Sequence, residues 1–347
     1  MCVIKQEAYW QKAIRVRGIV LCLYSVIAIS LYYPAVAVSQ EPTLLPQIAH
    51  TKCIRSIAVS PDERYVWSGG EDGKCAMWDL RTMKVLDVLA EQESDQFLGK
   101  YPIVNAVAWS PNSKYIASGG QDGNLIVWEV SSRKRIFKEA IGSSVCAVEF
   151  SEDSKDVFVG LKDGKVKVYR VEVDEVFIPF GDVTKPNRFV SELRGHEGEV
   201  SFIKRLDGKK VISVSSVWTG EKSSIKIWDL ESKEQVKAFS ELQERVYSMA
   251  VSPDRNYIAT VGSAKTVRIW DLESGKQVLT IKSVTDNQYE QCSLAYTADG
   301  KTLVLGEINS TKFFDVKTGK LEQLSKIAAL NFNSFAIWQL WTNRLGC

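Results

Sequence analysis

Histidine is almost missing: the 347 residues contain two, His50 and His196. A metal centre or acid–base relay built on converging imidazoles is therefore excluded. Cysteine occurs seven times but never as C-x-x-C, so spacing gives neither a zinc site nor a redox pair. No glycine-rich stretch runs into a helical pattern, which removes the phosphate-cradling loop of nucleotide-binding enzymes. A surplus of one charge is absent too, since 44 basic and 42 acidic residues leave +2. The one basic run, Arg133-Lys134-Arg135, falls in a predicted inter-strand turn, so no nucleic-acid-binding face is implied. What remains is a folded, turn-rich composition with 45% hydrophobic residues and 22 glycines.

One stretch organises the rest, Trp109 to Val130, WSPNSKYIASGGQDGNLIVWEV. Ser110-Pro111-Asn112-Ser113 is a turn, Tyr115 to Ser118 alternates as a strand, Gly119 to Gly123 is a tight turn demanding positive φ, and Leu125 to Trp128 is a second strand. The pattern recurs. Blocks close on Trp78-Asp79, Trp128-Glu129, Tyr169-Arg170, Trp228-Asp229, Trp270-Asp271 and Phe314-Asp315, at intervals of 50, 41, 59, 42 and 44 residues. A period of 40 to 60 residues built from strands and turns is that of radially repeated four-stranded sheets, about 40–45 residues each.

These blocks resemble the WD-repeat family of β-propellers over residues 44–327. The resemblance implies an all-β propeller with six complete repeats and an incomplete seventh blade, the alternative being a six-bladed ring with an apolar tail over 328–347. It also implies a buried relay of His, Ser, Asp and Trp. His50, Ser68, Asp72 and Trp78 fit it in the first repeat, and Gly195-His196 is the one intact Gly-His pair. Ala264 and Ile308 stand where the relay wants aspartate. Trp78, Trp128, Trp228 and Trp270 are expected to pack between blades. Ile327 to Ser334 lines up with Val104 to Pro111 as a further inner strand, leaving Trp338 and Trp341 beyond it. A strand over 45–49 is expected to close the ring.

The first 37 residues stand apart. Four bases and one acid precede an uncharged run, Gly18 to Ala37, that breaks at Pro34 before Ala35-Val36-Ala37. This is the form of a secretory leader cleaved after Ala37. An uncleaved anchor over 18–37 is the alternative, and only then would a membrane be a partner. Without the leader the chain carries 40 basic and 41 acidic residues and five cysteines, among them Cys53, Cys75, Cys146 and Cys292. Their places in the repeats put no two in bridging distance, so free thiols are expected.

For function, carboxylates in repeated turns, such as Asp72, Asp122 and Asp163, are expected to cap backbone amides and not to act as acids or bases. The resemblance implies a non-catalytic platform that binds a peptide or protein on the loops entering its inner strands, with neither cofactor nor metal. Arg55, Asn105, Cys146, Val200, Tyr247 and Cys292 are read at one register there, beside Arg245 and Glu290 and the turn residues Glu71, Gln121 and Lys162. Arg55, Arg245 and Tyr247 are the expected anchors, because arginine and aromatics dominate interface energetics. An exported propeller enzyme or small-ligand binder is the alternative. Extra length at 171–186 and 218–222 marks places where partner contacts are readily added.

Overall fold

The computed structural model describes residues 49–82, 84–89, 103–172, 187–216, 223–242, 244–282, 292–307 and 310–325. The leader, residues 45–48 of the strand expected over 45–49, most of 171–186, all of 218–222, Glu290, Ile308 and the tail from 326 lie outside the described residues.

Among the described residues six four-stranded antiparallel sheets follow one another, each a meander in which sequence neighbours pair. Sheet 1 holds β1 (Ile54–Val59), β2 (Tyr65–Gly70), β3 (Cys75–Asp79) and β4 (Lys84–Leu89). Sheet 2 holds β5 (Val104–Trp109), β6 (Tyr115–Gly120), β7 (Asn124–Glu129) and β8 (Arg135–Ala140). Sheet 3 holds β9 (Val145–Phe150), β10 (Asp156–Leu161), β11 (Val166–Arg170) and β12 (Phe189–Leu193). Sheet 4 holds β13 (Glu199–Arg205), β14 (Lys210–Ser216), β15 (Ser223–Asp229) and β16 (Gln235–Leu242). Sheet 5 holds β17 (Val246–Val251), β18 (Tyr257–Gly262), β19 (Val267–Asp271) and β20 (Gln277–Ile281). Sheet 6 holds β21 (Cys292–Tyr296), β22 (Thr302–Glu307), β23 (Thr311–Asp315) and β24 (Leu321–Ser325). The first strand of each sheet is innermost, β1 packing on β5, β5 on β9, β9 on β13, β13 on β17 and β17 on β21. This is a six-bladed β-propeller.

Side-chain chemistry explains the turn from first to second strand. The Ser60 and Ser110 hydroxyls each bond an Asx oxygen two residues on, at 2.5 and 2.7 Å. Each also accepts a backbone N–H five residues on, from Tyr65 at 2.9 Å and Tyr115 at 2.8 Å. Ser151, Ser252 and Thr297 repeat the pattern. The fourth turn residue is left-handed every time: Glu63, Ser113, Ser154, Arg255 and Gly300 have φ of 56 to 69°. The bonded Asx holds the chain there although four of the five are not glycine.

The glycine-rich turns divide two tasks that the sequence reading merged. Positive φ falls only on the last glycine, Gly73, Gly123 and Gly164. The first glycine of each motif makes room instead: a Cβ on Gly119 would come 2.1 Å from Val145 of the next inner strand, and one on Gly69 would come 2.5 Å from Val104. A side chain there would hold neighbouring blades apart.

Apolar side chains from facing sheets form the joints. Trp128 joins a cluster with Trp67 and Met77 of sheet 1, Trp228 packs with Phe158 and Val168 of sheet 3, and Trp270 packs with Ile225 and Phe239 of sheet 4. Each large buried side chain contributes about 1.5–3 kcal/mol, and none is available to a sheet standing alone. One joint differs. Ala58, Ala108, Ala250 and Ala295 occupy one inner-strand position in four sheets. Sheets 3 and 4 have Glu149 and Lys204 there, with Lys204 Nζ 2.7 Å and Arg205 Nη1 3.3 Å from the Glu149 carboxylate.

Candidate functional site

Among the described residues five inner strands carry a β-bulge at the same place. Pairing with the second strand slips between Ile54 and Ser56, Val104 and Ala106, Val145 and Ala147, Val200 and Phe202, and Val246 and Ser248. The unpaired residues are Arg55, Asn105, Cys146, Ser201 and Tyr247. A bulge re-aims the side chain it frees. The preceding residues Val104, Val145, Val200 and Val246 are buried, whereas none of the five freed residues is. Two readings from sequence change. Val200 is a core residue and Ser201 takes the rim position, because β13 begins one residue ahead of that valine. Cys292 pairs in register with Glu307 and is not bulged.

Backbone bonds tie each glycine-turn residue to this rim. Glu71 N–H donates to Cys53 O at 2.9 Å, Gln121 to Ile103 O at 2.8 Å, Lys162 to Ser144 O at 3.0 Å and Ser263 to Arg245 O at 2.9 Å. Each acceptor lies two residues before its bulge, so Glu71, Gln121 and Lys162 stand beside Arg55, Asn105 and Cys146. Arg55 pairs with Glu71 at 2.5 Å, with both side chains partly open to solvent. Such a pair contributes at most about 1 kcal/mol to the fold. The Arg245 guanidinium lies 5.6 Å from the Tyr247 ring centroid. Asn105 is already engaged, its amide donating to Val145 O of the next inner strand at 2.8 Å.

The rim thiols are held in their protonated form. Burial, reinforced by the Glu199 carboxylate, pushes the Cys146 thiol up to about 12, and burial with Glu307 does the same to Cys292. Both stay protonated at neutral pH, and the thiol is a far weaker nucleophile than the thiolate.

Beneath the rim the structure brings His50, Ser68, Asp72 and Trp78 together. Trp78 Nε1–H donates to Ser68 Oγ at 2.8 Å, His50 Nε2 lies 2.8 Å from the same oxygen, and Nδ1 lies 3.0 Å from Asp72 Oδ1. A carboxylate only accepts, so Nδ1 carries the proton and Nε2 accepts from Ser68. Asp72 also takes the Thr51 amide at 2.8 Å and the Lys74 amide at 3.2 Å. Burial would raise its carboxyl, but the His50 and amide bonds outweigh that and hold it below the usual value. In sheet 4, His196 Nε2 meets Ser213 Oγ at 2.6 Å and Trp228 donates to that hydroxyl at 2.7 Å. Ser224, 2.7 Å from Nδ1, replaces the aspartate. Burial, with the nearby Lys226 charge, drives His196 down to about 3, so it is neutral. Sheet 5 has neither His nor Asp in these places. Glu244 takes the Ala264 amide at 2.8 Å from the opposite side and pairs with Arg268.

Three stretches match the family model for the WD domain, G-beta repeat: residues 43–79, 94–129 and 234–271. They end on Asp79, Glu129 and Asp271, the last residues of β3, β7 and β19. No curated protein matches the chain.

Proposed function

The chain is a six-bladed β-propeller carrying WD repeats, and from that premise we propose that it is an exported, non-catalytic scaffold that binds a peptide or protein across its rim of inner-strand bulges. The observation that carries this reading is the contrast within one register. Five bulges free five different side chains, whereas the turn hydroxyls, relay serines and joint glycines around them repeat. Repetition answers to the fold, and variation at a fixed, solvent-reaching position is what selects a partner. Arg55, Arg245 and Tyr247 are the anchors, with Glu71, Gln121, Lys162 and Ser201 setting specificity around them. Such propellers commonly serve as interaction scaffolds. The protonated thiols and the scarcity of histidine favour binding over chemistry.

The test is affinity capture with the chain from Val38 onward, with bound proteins identified by mass spectrometry. Arg55→Ala with Tyr247→Ala is expected to lose the specific partner, and Lys209→Ala with Lys301→Ala, exposed residues of the opposite turns, to keep it. Equal capture by all three proteins would remove the rim as the binding face. An intact mass beginning at Val38 in the protein recovered from outside the producing cytoplasm checks the export.

A further inference from the structure

The exposed large apolar side chains among the described residues lie on the outer strands β4, β12, β16, β20 and β24. Val278 of β20 is the most open of them at 54%. An outer strand is a sheet edge, with N–H and C=O groups turned away from its one neighbour, and proteins guard such edges with bulges and charges.

All six described outer strands share the first guard. Each slips once against its neighbour beside the aromatic that closes the third strand, freeing Leu86, Ile136, Val190, Val236, Val278 and Glu322. The second guard is not shared. Asp87 in β4, Lys138 in β8, Glu192 in β12, Lys237 in β16 and Glu322 in β24 each place a charge within the strand. β20, Gln277-Val278-Leu279-Thr280-Ile281, has none.

Neighbouring sheets fix this uncharged edge. Leu279 and Ile281 belong to the apolar cluster shared with Leu294 and Leu303 of sheet 6. In the turn before β20, the Lys237 ammonium of sheet 4 donates to Leu272 O at 3.1 Å and to Glu273 O, and Asp271 accepts the Ser274 N–H at 2.6 Å. Lys276 and Lys282 then stand exposed at the two ends of the strand. Six residues of extended chain, about 20 Å, separate them.

Charge selects the occupant. A second copy laid antiparallel on β20 and centred on Leu279 would set Lys276 of each chain beside Lys282 of the other, like against like at both ends. An apolar strand with acidic residues at its ends meets both lysines instead. We propose that β20 accepts an extended segment of this kind from another protein as a fifth strand of sheet 5. Main-chain bonds to the open edge supply the affinity, and Val278 with the flanking lysines supplies the preference. The surface lies on the outer wall, apart from the rim of inner-strand bulges.

Fluorescence anisotropy with the full chain tests this. One labelled peptide has two aspartates at each end of a five-residue run of valine and threonine, and its twin has lysines in their place. The acidic peptide is expected to bind at least about tenfold more tightly. Lys276→Glu with Lys282→Glu is expected to reverse that order, and Val278→Lys to weaken the acidic peptide at least about tenfold. Val236→Lys on β16 and the rim pair Arg55→Ala with Tyr247→Ala are expected to leave it unchanged. Bound peptide is expected to slow amide exchange within 277–281. Equal binding of the two peptides, or none at millimolar concentration, overturns the proposal without any substitution. So does loss of binding in the rim pair, or exchange in β20 that the bound peptide does not move. Self-association of the unsubstituted chain that Val278→Lys abolishes would assign the edge to a second copy and overturn it too.

Discussion

Sheets 1 and 4 contain the same relay with one difference. In both, a tryptophan N–H donates to a serine whose oxygen also meets a histidine. Beyond the histidine, sheet 1 has a carboxylate and sheet 4 a hydroxyl. The shared part is therefore the hydroxyl between indole and imidazole, which satisfies two buried groups at once. The part that varies does two jobs in sheet 1, fixing the tautomer of His50 and bracing the following turn through Thr51 and Lys74. Sheet 5 supports the division, since Glu244 braces the Ala264 amide with no histidine between.

The largest effect is expected where the two sheets agree. Ser68→Ala and Ser213→Ala each strand a buried indole N–H and an imidazole nitrogen, and each should lower the unfolding free energy by about 2–4 kcal/mol in denaturant titrations. Unequal losses would mean that the hydroxyl is not the common element.

A smaller and unequal pair should appear where they differ. Asp72→Ala removes the acceptor of His50 and two turn amides and should cost about 2–3 kcal/mol, against about 1 kcal/mol for Ser224→Ala. Similar values would show that the aspartate braces nothing beyond the histidine.

The last comparison is read as a slope against pH, where each unit is a smaller step than the loss expected for Asp72→Ala. His196 falls from an ordinary 6.5 to about 3, so between those values the unfolded chain binds a proton that the folded one does not. Stability is fully present above pH 6.5 and is lost as pH falls toward 3, by up to about 1.4 kcal/mol per unit. His196→Gln should flatten that slope. Asp72, held below the usual 3.8, adds its own loss only below that value. Equilibrium unfolding at stepped pH separates the two windows.

Much of this was legible in the chain because turns and strand-closing aromatics are local. Ser60, Ser110 and Ser252 bond within five residues, and Trp78, Trp128, Trp228 and Trp270 mark the third strands. His50, Ser68, Asp72 and Trp78 fall together because their spacing is that of one meander. The bulges were not read, since a bulge is a relation between two strands and residue counting within one of them slips. That slip put Val200 on the rim in place of Ser201. The order apolar, free, small or apolar, apolar, as in IRSI, VNAV, VCAV, VSFI and VYSM, held the signal all along. The first glycines of the turns were misread for a similar reason: what Gly119 accommodates is Val145, 26 residues away.

The charged joint between sheets 3 and 4 bears on assembly. Modules with near-identical apolar faces offer one another many wrong neighbours while the chain is collapsing, a hazard of repeat proteins. Glu149 finds Lys204 and Arg205 where sheet 4 follows sheet 3; against an alanine-bearing sheet it would be desolvated without them. That carboxylate makes the third and fourth modules unequal partners for the rest, a mark of place that an all-alanine ring would lack.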